Sequence, residues 1–328
     1  MKSSTSIKRQ TTAFAQAKSG TALVLALAMF VFAFAPAQTV WAEAQKGPVT
    51  IASMIDSEGA VVGGMMVLLL RDAGFEVRDM TEFGTPDILR QALLSGEVDL
   101  VLDYTGSGQY YHETSQDVWS SAEAGYQETR RLDIEVNDIY WLTPSPANNT
   151  EGLAVTRAFA QEKNIRSIGD LADYVNAGGD IKLICASAFA ENVKGLIGFE
   201  EAYGFRLNAD QLIILASGNT AEMLKALYEG RDGVNVSLVY GTDGALSDMG
   251  LVVLEDPKSI PPVYQPAPVL RGEVYRAYPE IEEILKPLFL SLTLETLQEL
   301  NAKVTYQGLA AREVARDYLV EQGFLAAE

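Results

Sequence analysis

The chain has 328 residues with 25 basic and 44 acidic side chains, one histidine, one cysteine and a formal net charge of −19. So acidic a protein repels nucleic acid and anionic membrane, and it suits neutral or cationic solutes, although solubility alone also accounts for the bulk charge. One imidazole and one thiol exclude an internal disulfide and leave too few ligands for a zinc or iron centre, so no metal and no cofactor is implied.

Residues 1–42 contain no acid and carry Lys2, Lys8, Arg9 and Lys18 ahead of an apolar run at 21–36. This is the pattern of a secretory signal, with small residues at Ala42 and Ala44 as cleavage sites. The run is short for a membrane span of about 20 residues, so an uncleaved anchor is the lesser alternative. The expectation is a signal peptide over 1–42 and a periplasmic protein of 286 residues, with 21 basic against 44 acidic side chains. Cys185 is far from the leader and cannot accept a lipid there; within a buried strand pattern at 181–186 it reads as an inert core thiol.

Strand patterns at 49–52, 75–80 and 98–102 alternate with helix patterns at 59–73 and 87–94, the second opened by Thr85 and Pro86. That alternation predicts a parallel sheet with crossover helices. The third strand runs into DYTGSG at 103–108, which sets Tyr104, Ser107 and a flexible backbone at a strand's carboxyl end. Ligands of open α/β sheets bind at that edge, yet a Gly-rich turn with Tyr104 packed as core explains the same residues. A helix at 122–137, a short strand at 139–142 and a Pro/Asn-rich stretch at 143–150 follow, the last reading as a domain crossing.

Beyond it the alternation restarts, with helices at 168–176, 189–203 and 220–229 and strands at 181–186, 211–216, 234–240 and 251–254. Prolines 257, 261, 262, 266 and 268 mark a return crossing, and the chain is helical from 273 onward. Two crossings between two α/β units predict a clamshell: lobe I from 43–152 plus 268–328, lobe II from 153–267, and a ligand cleft between them. Catalysis finds little support, since there is no phosphate-cradling loop ending in Lys-Ser/Thr and no Gly-x-Ser-x-Gly elbow. His112 reads as a surface or helix-start residue.

The segments SMIDSEG at 53–59, DYTGSG at 103–108, WLTPSPANNT at 141–150, YGTDG at 240–244 and YQPAPVLR at 264–271 occur in an order that resembles the ABC-importer substrate-binding proteins of the glycine betaine, choline and proline-betaine class. The similarity is greatest to the OsmF (YehZ) osmoprotectant-binding branch. The resemblance implies an α/β fold of the type II periplasmic-binding-protein kind, each lobe a mainly parallel sheet flanked by helices. It implies a monomer that delivers a cationic or zwitterionic solute to a permease with a separate ATPase subunit. A ligand sensor built on the same clamshell is the alternative. It also implies an aromatic box for a quaternary ammonium group, falling on Tyr104, Tyr240 and Tyr264, with Ser107 and Asn149 as polar cleft positions and Asp243 as a turn cap or cleft residue.

Three positions depart from the family pattern. Met54 stands where the pattern has lysine, Asn192 where it has arginine, and Glu151 where it has an aromatic wall. The cleft then loses positive charge and gains negative, unless Lys194 replaces the arginine or Glu151 points to solvent. On that basis the expected ligand is a cation without a carboxylate.

Overall fold

Ten strands form two five-stranded sheets in the computed structural model, which describes residues 46–114, 116–216 and 220–327. The leader lies outside the described residues. The strands are β1 Lys46–Met54, β2 Phe75–Gly84, β3 Leu100–Tyr104, β4 Ile139–Trp141, β5 Glu151–Thr156, β6 Leu183–Ala186, β7 Leu212–Leu215, β8 Val236–Tyr240, β9 Leu251–Val253 and β10 Pro266–Arg271. The first sheet has the order β2-β1-β3-β10-β4 and the second β7-β6-β8-β5-β9.

Both sheets are mixed rather than mainly parallel. In the first, β1 pairs in parallel with β2 and β3, whereas β10 pairs antiparallel with β3 and β4. The second repeats the plan, with β6 parallel to β7 and β8, and β5 antiparallel to β8 and β9. The antiparallel partners are the two strands that the sequence patterns do not single out, β5 and β10. Each begins just after a crossing, so the chain leaves the first sheet between β4 and β5 and re-enters it at β10.

The proline-rich return is therefore a central strand, and its geometry explains how. Pro266 and Pro268 stand two residues apart, so their missing N–H groups point to the same side. On that side their carbonyls still accept, from Ser145 N–H at 2.8 Å and Leu142 N–H at 2.9 Å. The opposite side of β10 pairs with β3, in a register that sets Pro266 opposite Tyr104.

The helix Ser57–Asp72 is apolar around nearly its whole circumference, and it is buried accordingly. It starts where Asp56 accepts the Gly59 N–H at 2.7 Å. Its apolar residues join Leu100, Leu102 and the C-terminal helices Glu280–Ser291, Leu294–Thr305 and Ala311–Glu321 in one core. A separate core behind the second sheet includes Cys185, fully buried with its thiol pushed up to about 11 by burial.

The helix read at 189–203 is two pieces, Ser187–Ala190 and Leu196–Tyr203. Gly195 sits at the break, where a side chain would come within 2.4 Å of the Phe189 carbonyl. Among the described residues no helix is long and apolar enough to cross a membrane.

Candidate functional site

The carboxyl ends of β1, β3 and β8 and the start of β5 converge on a cavity of about 920 Å³. Met54 closes β1, Tyr104 closes β3, Tyr240 closes β8, and Glu151 opens β5, opposite Tyr240 in the antiparallel register. Tyr264 joins them from the segment leading into β10. All five line the cavity, as do Ser107, Asn149 and Asp243. Asn192 does not line it; its side chain accepts the Lys194 N–H at 2.8 Å, and Lys194 lies outside the lining as well.

The glycines of the DYTGSG loop serve close approach rather than unusual backbone angles. A side chain at Gly106 would fall 2.7 Å from Tyr264 Cδ1 and 2.8 Å from the Val263 carbonyl, so the Tyr264 ring packs directly on the loop backbone. At Gly108 a side chain would meet Thr129 and the Trp119 ring.

Each polar group of the loop has a partner. Asp103 is buried and accepts from the Tyr104 N–H at 2.7 Å, the Ser107 hydroxyl at 2.9 Å and the Tyr111 hydroxyl at 2.9 Å. Burial pushes its carboxyl up to about 6 despite these donors. The Ser107 proton is thus committed to Asp103, which leaves the Ser107 oxygen as an acceptor.

Behind the loop lies a second buried carboxylate. Asp133 accepts from Arg90 at 2.9 and 2.5 Å, from Trp141 Nε1 at 2.6 Å and from Asn137 at 2.9 Å, with His112 Nε2 at 3.0 Å. Arg90, so anchored, stacks over the Tyr111 ring at 4.1 Å. His112 is therefore neither a surface nor a helix-start residue. It follows the short helix Gly108–Tyr111, and its side chain is only 7% exposed.

On the other wall Glu58 is buried and pushed up to about 6, chiefly by desolvation. It accepts from the Tyr104 hydroxyl at 2.7 Å and from Asn301 Nδ2 at 2.8 Å. Asn301 also donates to the Thr242 carbonyl at 2.9 Å, joining the helix Leu294–Thr305 to the turn after β8. Sequence reasoning missed both residues. The signal for Glu58 was a lone acid opening an otherwise apolar helix; Asn301 looks like an ordinary helix-surface residue and carries none.

Asp243 accepts the Tyr240 N–H at 2.7 Å and the Thr220 hydroxyl at 2.8 Å, so it caps its own turn while lining the cavity. Burial pushes it up to about 6. Glu151 is different. It is pushed up to about 7 by desolvation alone, and among the described residues no hydrogen-bond or salt-bridge partner reaches its carboxylate. It lies close enough to Tyr240 and Tyr264 to act electrostatically on both hydroxyls.

Tyr110, Tyr111 and Tyr306 complete a lining rich in tyrosine and carboxylate, and no lysine, arginine or histidine lines the cavity among the described residues. Nor is any group of three or more His, Cys, Asp or Glu side chains there arranged to hold a metal ion. An aromatic and anionic wall without fixed cations is matched to a positively charged guest.

Residues 47–321 match the family of substrate-binding domains of the ABC-type glycine betaine transport system. The glycine betaine-binding protein YehZ of Escherichia coli is 42% identical over 278 residues, spanning 84% of this chain and 91% of YehZ. A glycine-betaine-binding protein of Pseudomonas aeruginosa is 31% identical over 288 residues, 86% of this chain and 90% of its own length. The solved structure of apo YehZ superimposes with a TM-score of 0.74 at 41% identity, covering 85% of this chain and all of that one. The two mixed sheets with flanking helices are thus the type II periplasmic-binding-protein fold, and the chain belongs to the family of substrate-binding domains of ABC-type glycine betaine transport systems.

Proposed function

We propose that the protein is a monomeric periplasmic binding component, exported by a cleaved signal peptide, that holds a quaternary ammonium solute between Tyr104, Tyr240 and Tyr264 and passes it to a permease with its own ATPase subunit. One observation carries this reading. Three tyrosines, two from strand ends and one from the segment leading into β10, line one cavity that has carboxylates and no lysine, arginine or histidine in its described lining.

A methylated ammonium donates no ordinary hydrogen bond, so its lost hydration is replaced by ring faces, at about 0.5 to 2 kcal/mol for each well-placed ring. Fixed carboxylates nearby add attraction at longer range. The family's role in transport favours binding over catalysis.

Titration calorimetry with a panel of quaternary ammonium solutes, beside sugars and amino acids without a quaternary nitrogen, tests the reading. Binding confined to the quaternary ammonium members is the expected result. No heat with any of them, or equal heat with the others, would overturn it.

A further inference from the structure

Asn149 and Glu151 stand two residues apart at the point where the chain enters β5. Between them, the Thr150 hydroxyl donates to the Pro262 carbonyl at 2.6 Å. Both flanking residues line the cavity, as the alternation of an extended segment requires if Thr150 faces away. Each brings an acceptor with nothing to accept. The Asn149 Oδ1 atom is buried without a hydrogen-bond partner. Among the described residues none reaches the Glu151 carboxylate either.

The other lining carboxylates differ. Asp56 is a helix cap, Glu58 and Asp243 are each hydrogen-bonded by side chains around them, and Asp87 is exposed. An unmet acceptor in a desolvated place is costly and is normally satisfied in the functional state. The Asn149 oxygen calls for a guest that donates, and the desolvated Glu151 carboxylate for one that is positively charged.

No fixed cation to meet a guest's carboxylate is in the described lining, which has no lysine, arginine or histidine, and the Ser107 proton is already given to Asp103 at 2.9 Å. A zwitterion would bring its negative end among carboxylates.

We propose that the preferred ligand is an organic cation that carries a hydrogen-bond donor and no carboxylate, with Glu151 as its counter-charge and Asn149 Oδ1 as acceptor of its donor. The proposal rests on the reading of the cavity as a quaternary ammonium site and narrows it to choline-like solutes.

Calorimetric titration at pH 8 with choline, tetramethylammonium and glycine betaine tests it, since the three share a methylated nitrogen and differ in donor and carboxylate. Choline is expected to bind at least about tenfold more tightly than glycine betaine, the size of one charge-assisted contact, with tetramethylammonium between them. Glu151→Gln should weaken choline and tetramethylammonium about tenfold and leave glycine betaine unchanged or tighter. Asn149→Ala should reduce the advantage of choline over tetramethylammonium. Glycine betaine binding as tightly as choline to the unaltered protein would overturn the proposal while leaving the quaternary ammonium reading intact. Equal loss for all three ligands in Glu151→Gln would overturn the role of that residue. Failure of all three to bind the unaltered protein would remove the underlying reading as well.

Discussion

The Tyr104 hydroxyl donates to Glu58 at 2.7 Å, and this bond fixes the orientation of a ring that closes one wall of the cavity. The other Glu58 oxygen is held by Asn301, which also binds the Thr242 carbonyl, so the ring is braced from the helix Ser57–Asp72 and from the turn after β8 together. Two substitutions separate ring from hydroxyl. Tyr104→Phe keeps the ring but leaves a buried carboxyl short of a donor, and is expected to cost about 1–3 kcal/mol of stability with less than about threefold loss of affinity. Tyr104→Leu removes the ring face and should weaken a quaternary ammonium ligand by about 3- to 30-fold. Denaturant unfolding and calorimetry on both variants check the split; equal affinity loss in the two would show that the ring face contributes nothing.

Gly106 makes a sharper test of the loop. A methyl group there would sit 2.7 Å from Tyr264 Cδ1 and 2.8 Å from the Val263 carbonyl, so either ring or backbone must move. The Tyr264 hydroxyl accepts from Gln109 at 2.6 Å, which restricts where the ring can go. Gly106→Ala is therefore expected to weaken ligand binding about tenfold, the cost of moving one ring off the cation. Gly178→Ala is the control, since a side chain there meets nothing within 4 Å, although its positive backbone angle carries a conformational cost. Full affinity in Gly106→Ala would mean that the packing of Tyr264 on the loop does not set the site.

Much of the α/β alternation was legible because parallel strands buried on both faces read as short apolar runs between capped helices. The helix Ala122–Asn137 lies where periodicity put it, with Ser121 at its cap. β10 was not legible, because Pro266 and Pro268 argue against a central strand unless the side to which their nitrogens point is known. That depends on Leu142 and Ser145, more than 120 residues earlier in the chain. Of the cavity positions, Tyr104 and Ser107 were legible from the loop at the end of β3, which is local, and the others came from the family resemblance. The partnership of Glu58 with Asn301 spans 243 residues and has no local signature. Asn192 shows the converse limit: without the Gly195 break, helical periodicity carries it into a continuous helix that the chain does not form.

Stability should depend on pH in a direction set by the buried carboxyls. Glu58, Asp103 and Asp243 are pushed up to about 6 and Glu151 to about 7, from ordinary values of 4.5 or 3.8. Between about pH 4 and 7 the folded protein then binds more protons than the unfolded chain, so stability falls as pH rises through that window. Asp79 and Asp133 are held low by Arg312 and Arg90 and weaken the fold only below about pH 4 as they protonate. The ligand-free protein is expected to melt at a higher temperature at pH 5 than at pH 7.5, with a smaller difference in Glu151→Gln. Scanning calorimetry at the two pH values measures it, and a higher melting temperature at pH 7.5 would contradict the burial of these groups.

Ligand binding should run the other way. A cation beside Glu151 needs its ionised form, and burial pushes that carboxyl up to about 7. At pH 8 the group is mostly ionised, and at pH 6 about nine-tenths of it is protonated, so with a protonated form that binds about tenfold more weakly, affinity for choline is expected to fall about fivefold between them. Glu58, Asp103 and Asp243 titrate about one unit lower and contribute mainly below pH 6. Glu151→Gln should therefore flatten the curve between pH 6 and 8, and glycine betaine, whose carboxylate opposes Glu151, should lose no affinity on acidification. Calorimetry across this range with both ligands discriminates the cases. A flat choline profile in the unaltered protein would place the Glu151 carboxylate away from the bound cation and leave its recognition to the three rings and Asn149.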